Sequence, residues 1–341
     1  MKLREMTMVG VSPLSRNLLL HPTGVANEYT YNYGSASNDE VTVTETKNPK
    51  GLEGYIKCEH KPNNGNAIKA ITYKRQPTTG LSDAGTHKSV TVYFWEWDLG
   101  YINPLLVKLG NDEKYYLTSD SSTWTSEKHI TSTTLRQKLD EQNCKRNQAH
   151  QVDLSQTHTK KNSYRCLVST CDVEISVQPR TPSGLSNYWH TIDSISKYSI
   201  SKFFAGAVEQ TGIPASKDIT GISVYLYPQS SGTPLLFYIS SPVSKWFSKY
   251  IGDNDWKNED SLTQAPNTED KIPSNIQNLQ KLSTPKVTID VSRSDSSAYR
   301  PEDYNIQFRG SKGQVGSSNF YKITYIESSN QPFQSQECYT L

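Results

Sequence analysis

The feature that most constrains this chain is an internal repeat at an offset of about 132 residues. Val90-Thr91-Val92-Tyr93-Phe94 returns as Ile222-Ser223-Val224-Tyr225-Leu226, and Trp124 returns as Trp256, each 132 positions on. Thr78-Thr79-Gly80 and Gln210-Thr211-Gly212 stand the same distance apart. Pro104-Leu105-Leu106 matches Pro234-Leu235-Leu236, and Tyr115-Tyr116 matches Trp246-Phe247. Upstream, Val41-Thr42-Val43 matches Val173-Glu174-Ile175, and Gly51-Leu52-x-x-Tyr55 matches Gly184-Leu185-x-x-Tyr188. Downstream, Val152-Asp153-Leu154-Ser155 matches Ile289-Asp290-Val291-Ser292. One shared dipeptide carries no weight, but collinear matches along a near-constant offset mean that two stretches bury equivalent side chains.

This periodicity sets the expected boundaries: a poorly ordered segment at 1–26, module one at 27–160, module two at 161–297 and a partial third unit at 298–341. Tyr299, Tyr304–Phe308 and Phe320-Tyr321 echo earlier positions, enough for two or three strands that pack on module two or fray. Within module one, Val41–Glu45, Tyr55–Glu59, Ala67–Tyr73, Val90–Glu96 and Leu105–Leu109 are apolar or alternating at strand length, with Gly, Pro and Asn between them. Ser132-Thr133-Thr134 offers N-cap hydroxyls to a short helix ending near Gln142, with Leu135 and Leu139 one turn apart. Pro273–Leu282 is its counterpart, with Ile276, Leu279 and Leu282 on one face. The expected fold is therefore α+β and strand-rich: two tandem modules, each a curved antiparallel sheet with one short helix. Alternation puts Tyr93, Trp95 and Trp97 on one face of the sheet and Val92 and Phe94 on the other. With both faces apolar, one is expected to carry the helix and the other to meet the neighbouring module.

Composition narrows the function classes. Thirty-six Lys+Arg against 34 Asp+Glu leave +2, and Lys160-Lys161 and the scattered Arg residues form no stripe, so no nucleic-acid partner is expected. The longest apolar run, Leu235–Ile239, is far shorter than the roughly 20 residues of a membrane span or the roughly 7–15 of a leader core. With 21 Tyr, 6 Trp and 8 Phe the chain is not a disordered one. Asn, Ser and Thr are abundant, so on the order of four N-x-[ST] acceptors would arise by chance; the sequence contains none. Export from an organism with little N-glycosylation fits this, and a cytoplasmic location is the alternative.

Chemistry-bearing residues are few. Cys144, His150, His158, Cys166 and Cys171 crowd into one stretch and are donor types that zinc takes. Cys166-x4-Cys171 is at the wide limit for a zinc half-site, however, and His150-x7-His158 is beyond it. The spacing points instead to a disulfide from Cys144 to Cys166 or Cys171, with free thiols and a metal site as alternatives; no metal and no cofactor are expected. Glu96-Trp97-Asp98 places two carboxylates around a Trp, but the matching positions in module two are Pro228 and Ser230. Trp95, Trp97, Tyr115 and Trp124 form a candidate binding face, since a platform for sugar rings and cross-strand aromatic packing need the same residues. No nucleophile elbow, phosphate loop or dinucleotide turn is present, so no catalytic residues are assigned.

The chain resembles the FAINT-type tandem-repeat proteins of piroplasm parasites, the Theileria and Babesia group. The resemblance rests on Val90-x-Val92-Tyr93-Phe94-Trp95-Glu96, Pro104-Leu105-Leu106-Val107, Tyr115-Tyr116, the stretch from Trp124 to the helix, Leu139-x4-Cys144 and Val152-Asp153-Leu154-Ser155. It implies a secreted or surface-associated protein without enzymatic activity, whose modules engage a protein or glycan partner. Loops differing between modules, such as Lys108–Ser122 and Ser240–Asn254, are the expected contact surfaces. The reading from another class is a secreted carbohydrate-binding or glycoside-hydrolysing protein using the Trp95/Trp97 region.

Overall fold

A computed structural model describes residues 41–262 apart from 63–66, 74–75, 112–113, 158–161, 181–185, 193–196 and 228–231, together with 265–266, Leu282 and the backbone of flanking strands. The first half contains β1 (Arg4–Met8), β2 (His21–Pro22), β3 (Glu28–Tyr33), β4 (Val41–Lys47), β5 (Tyr55–Pro62), β6 (Ile68–Tyr73) and β7 (Gln76–Pro77). It continues with β8 (Val90–Trp95), β9 (Leu106–Leu109), β10 (Tyr115–Thr118), β11 (Trp124–Glu127), helix α1 (Leu135–Asn147) and β12 (Ala149–Asp153). The second half contains β13 (Ser163–Arg165), β14 (Glu174–Pro179), β15 (Ser186–Thr191), β16 (Tyr198–Ala205) and β17 (Val208–Gln210). After these come β18 (Ser216–Ile219), β19 (Ile222–Tyr227), β20 (Thr233–Ile239), β21 (Lys245–Ser248) and β22 (Lys257–Asn258). The protein is strand-rich α+β, and β4, β5, β6, β8 and β9 begin within a residue of the positions that the sequence indicates.

Two long antiparallel sheets dominate. The first has strand order β11-β10-β9-β8-β5-β4-β3-β2, and the second β22-β21-β20-β19-β15-β14-β13. Strand for strand these are the same order, except that among the described residues the second has no strand in the place of β2. Each half also closes its loops alike. Thr79 bridges Thr123 and Thr211 bridges Asp255, both in parallel and 132 residues apart. The glycine that follows each bridge has positive φ, +82° at Gly80 and +76° at Gly212. A Cβ there would lie 1.8 Å and 2.1 Å from the Trp124 and Trp256 carbonyl oxygens. Both the backbone conformation and the close approach exclude a side chain.

Each long sheet is covered on both faces. In the first, Val90, Val92 and Phe94 pack with Ile68, Ile71, Leu81 and Ala84, so this face is covered by β6 and the short turn that follows it. The neighbouring module was expected there; the unit's own β6–β7 ribbon fills the place because it turns back over the sheet it comes from. The opposite face joins Tyr55, Tyr93, Trp95 and Tyr115 to Leu135 and Leu139 of α1. In the second half, Ile222, Val224 and Leu226 pack with Tyr198, Ile200 and Phe203 of β16, while Tyr225, Leu235 and Trp246 meet Leu282. Leu282 is helical and buried; the remainder of the expected Pro273–Leu282 helix lies outside the described residues.

Five further expectations change. Helix α1 runs to Asn147 rather than Gln142 and ends at Gln148, whose φ of +51° is left-handed. Thr134 occupies its N-cap without capping it, because the hydroxyl donates to the His129 carbonyl instead. Strand β12, which by sequence closes module one, pairs in parallel with β16 of the second half, and Val152 and Leu154 lie in the second core. The same relation appears upstream, where β1 pairs in parallel with β6. Residues 4–8, inside the segment expected to be poorly ordered, thus supply the strand that satisfies the β6 edge. Finally, β23 (Ala298–Tyr299), β24 (Phe308–Gln314), β25 (Tyr321–Glu327) and β26 (Glu337–Tyr339) form a four-stranded antiparallel sheet of their own, one strand more than the repeat suggests.

Two buried histidines take matching places. His60 lies opposite Val43 and Val90, and His190 opposite Val177 and Ile222. Burial lowers each from 6.5 to about 4. Between these values the unfolded chain binds protons that the native chain refuses, so stability falls as pH drops through this window and this contribution levels off below it. The expected loss is on the order of 3 kcal/mol per histidine. Urea denaturation from pH 7 to 4 measures it, and the His60→Gln/His190→Gln protein should lose part of that slope.

Candidate functional site

The aromatic and acidic residues singled out by sequence are structural in their surroundings. Trp95 and Tyr115 sit in the core beneath α1, with 1% and 4% of their surface exposed, and Trp97 packs half-buried against the same core. Trp124 is buried on the opposite side of the sheet with Tyr116 and Val107. The four therefore do not share one face, and neither Trp95 nor Tyr115 has an open side on which a sugar ring could stack. Strand β8 ends at Trp95, so Glu96 and Asp98 follow a turn, in which the Asp98 amide donates to the Trp95 carbonyl, rather than projecting together from a strand. The Asp98 carboxylate accepts the amides of Ile102 and Asn103 at 3.0 and 2.7 Å. It organises a loop. Burial raises the Glu96 carboxyl, and a hydrogen bond with Asn48 pulls it back.

The cysteines converge differently. Cys144 comes from the last turns of α1, His150 from β12, and Cys166 and Cys171 from the turn between β13 and β14. One ligating atom from each lies within 4.8 Å of all the others, and all four residues are buried. His150 Nδ1 is 3.6 Å from Cys144 Sγ and 3.5 Å from Cys171 Sγ. The fold makes this meeting point by local means. The Cys166 amide donates to the Val173 carbonyl, and the Cys171 amide to the Val168 carbonyl, which closes the turn. The Leu167 amide donates to Gln151 and the Gln151 amide donates to Cys166 Sγ at 3.3 Å, stitching that turn onto β12. The sulfurs perturb one another: hydrogen bonds with Cys166 and Cys171 push the Cys144 thiol far up, while those with Cys144 and Cys166 pull Cys171 down.

The expected disulfide is not formed. Cys144, Cys166 and Cys171 are free thiols, as is Cys58. Sequence spacing pairs sulfurs two at a time, whereas the fold gathers three of them around one imidazole. His158 lies outside the described residues.

This cluster sits where the two halves meet. On the same helix, Asp140 accepts the Tyr55 hydroxyl of the first sheet at 2.6 Å and the Lys202 ammonium of β16 at 3.0 Å. Glu141 accepts the Ser169 hydroxyl from the cysteine turn at 3.2 Å. Nothing in the sequence marks Asp140 and Glu141, or Lys202 on the facing strand, because a helix wedged between two bodies buries polar residues that otherwise mark a solvated face. A separate groove of about 510 Å³ is lined by Lys249, Asp253, Asp255, Lys257 and Glu259. Burial lowers Lys249 to about 8, yet its ammonium already donates to the Asp253 carbonyl and lies 5.3 Å from the centre of the Trp256 ring.

No protein-family model matches the chain, and neither a curated protein nor a solved structure does.

If the core position of Trp95 governs its role, Trp95→Ala costs about 3–5 kcal/mol of stability. Chemical denaturation reads this; an unchanged midpoint would return Trp95 to the candidate ligand-binding residues.

Proposed function

We propose that this chain is a non-enzymatic interaction protein, exported or displayed at a surface, whose two successive sheet-and-helix modules hold contact loops for a protein partner. The observation that carries the reading is the loop from Asp98 to Asn103. Leu99 and Ile102 are 73% and 51% exposed, among the few large apolar side chains that the described residues leave in solvent. The loop is held in place from several directions. Asp98 binds two of its amides, the Tyr101 hydroxyl donates to Glu45 at 2.8 Å, and the Tyr73 hydroxyl donates to the Ile102 carbonyl. Tyr101 also packs edge-on against Phe94, 5.1 Å between centroids. A preorganised loop loses little entropy on association, and exposed aliphatic groups on it suit an apolar protein surface better than a sugar.

The test is binding of the labelled full-length chain to intact cells, before and after protease or glycosidase treatment of those cells. Protease treatment is expected to abolish binding and glycosidase to spare it. The Leu99→Asp/Ile102→Asp protein should keep its melting temperature and lose at least about tenfold in affinity, the scale of one small interface hot spot. Undiminished binding by that folded variant would exclude the loop. Loss on glycosidase treatment alone would favour the glycan reading.

A further inference from the structure

We infer that Cys144, His150, Cys166 and Cys171 form a structural zinc site that clamps the helix of the first module to the sheet of the second. This stands independently of the binding role proposed above. Four observations support it, the first being the donor set. Three thiolates and an imidazole are soft and borderline ligands, the chemistry that selects zinc over calcium or magnesium.

The second is the size of the cluster. A tetrahedral ion with sulfur at about 2.3 Å and nitrogen at about 2.0–2.1 Å sets S···N edges of about 3.6 Å and S···S edges of about 3.8 Å. The two S···N distances here are 3.6 and 3.5 Å, and every edge is within 4.8 Å. A disulfide needs two sulfurs about 2.05 Å apart and gives no part to the third or to the ring.

The third is the closed setting. The four residues are 6%, 1%, 5% and 7% exposed, so four protein donors would complete the coordination and no position stays open for substrate. This is the arrangement of a structural site, not a catalytic one. The fourth is the orientation of the donors. His150 turns Nδ1 toward the sulfurs, and the Gln151 amide donates to Cys166 Sγ, as suits a thiolate in a buried place. On binding, each thiol releases its proton to solvent, and the neutral imidazole keeps its proton on Nε2. The three thiolates and one Zn²⁺ then carry a net charge of about −1, which backbone amides partly offset.

The experiment uses the full-length chain, made without an affinity metal and kept reduced, with zinc measured by mass spectrometry and thiols by alkylation under denaturing conditions. One zinc per chain is expected, with Cys144, Cys166 and Cys171 shielded from alkylation in the native protein until a chelator is added. Chelation should lower the melting temperature by several degrees. Cobalt should give the visible bands and thiolate charge transfer of a tetrahedral sulfur-rich site. Cys171→Ser is expected to lose the metal. Should that variant not fold, His150→Cys decides, since it keeps four donors and should retain one zinc with a shifted cobalt spectrum. A reduced, folded chain that takes up neither zinc nor cobalt would overturn the proposal, as would a disulfide among these cysteines in material alkylated at lysis.

Discussion

Strand β8 is buried along its whole length, and so, but for its last residue, is β19 in the second half. Each therefore presents an apolar row on both faces of its sheet, and a long sheet of this kind is stable only if something covers both. Every fully buried side chain of this size contributes about 1.5–3 kcal/mol, while a whole domain is stable by only about 5–15 kcal/mol. Leaving Val90, Val92 and Phe94 in water would thus forfeit much of that margin. The fold answers with a helix on the Tyr93/Trp95 face and a small ribbon on the other. The other main features follow from that requirement.

The ribbon strand cannot itself have an open edge, and in both halves the preceding chain supplies a parallel partner: β1 for β6 and β12 for β16. A segment that looks like the end of one module is consequently the opening strand of the next. It follows that α1, lying just before β12, is held between the two bodies. Its apolar residues Leu135 and Leu139 serve the first core, while Cys144 at its far end serves the second. Asp140 and Glu141 between them take hydrogen bonds from both sides. The junction is therefore built from packed and charged contacts, and the three cysteines of the cluster lie on its second-core side.

Strands β4 and β5 were readable because a strand with two distinct faces writes its burial into alternate residues, whereas β8, buried on both faces, and β9 were readable as short apolar runs. The equivalence of Thr79-Gly80 and Thr211-Gly212 was readable because their turn excludes any side chain on the glycine. Helix α1 was legible through Leu135, Leu139 and the hydroxyl residues before them. Beyond Leu139 the buried residues are polar or sulfur-bearing, and apolar periodicity carries no signal where burial is shared between two partners. The aromatic residues were found but not their roles, since Trp95 and Trp124 look alike in a sequence and lie on opposite sides of one sheet. His60 and His190 carry no motif; their matching register became visible only once the strands were paired.

The sequence by itself determined the positions of the main strands of the first sheet, the offset between the two halves and the identity of the residues able to ligate or stack. These are local properties, set by the preferences of neighbouring side chains and by repetition along the chain. Tertiary structure alone decided that β12 belongs with the second half, that Trp95 faces a helix and not a ligand, and that three cysteines and His150 share one point. Such outcomes depend on which surfaces meet across long separations in the chain, where burial and hydrogen bonding are settled jointly by elements that carry no record of one another.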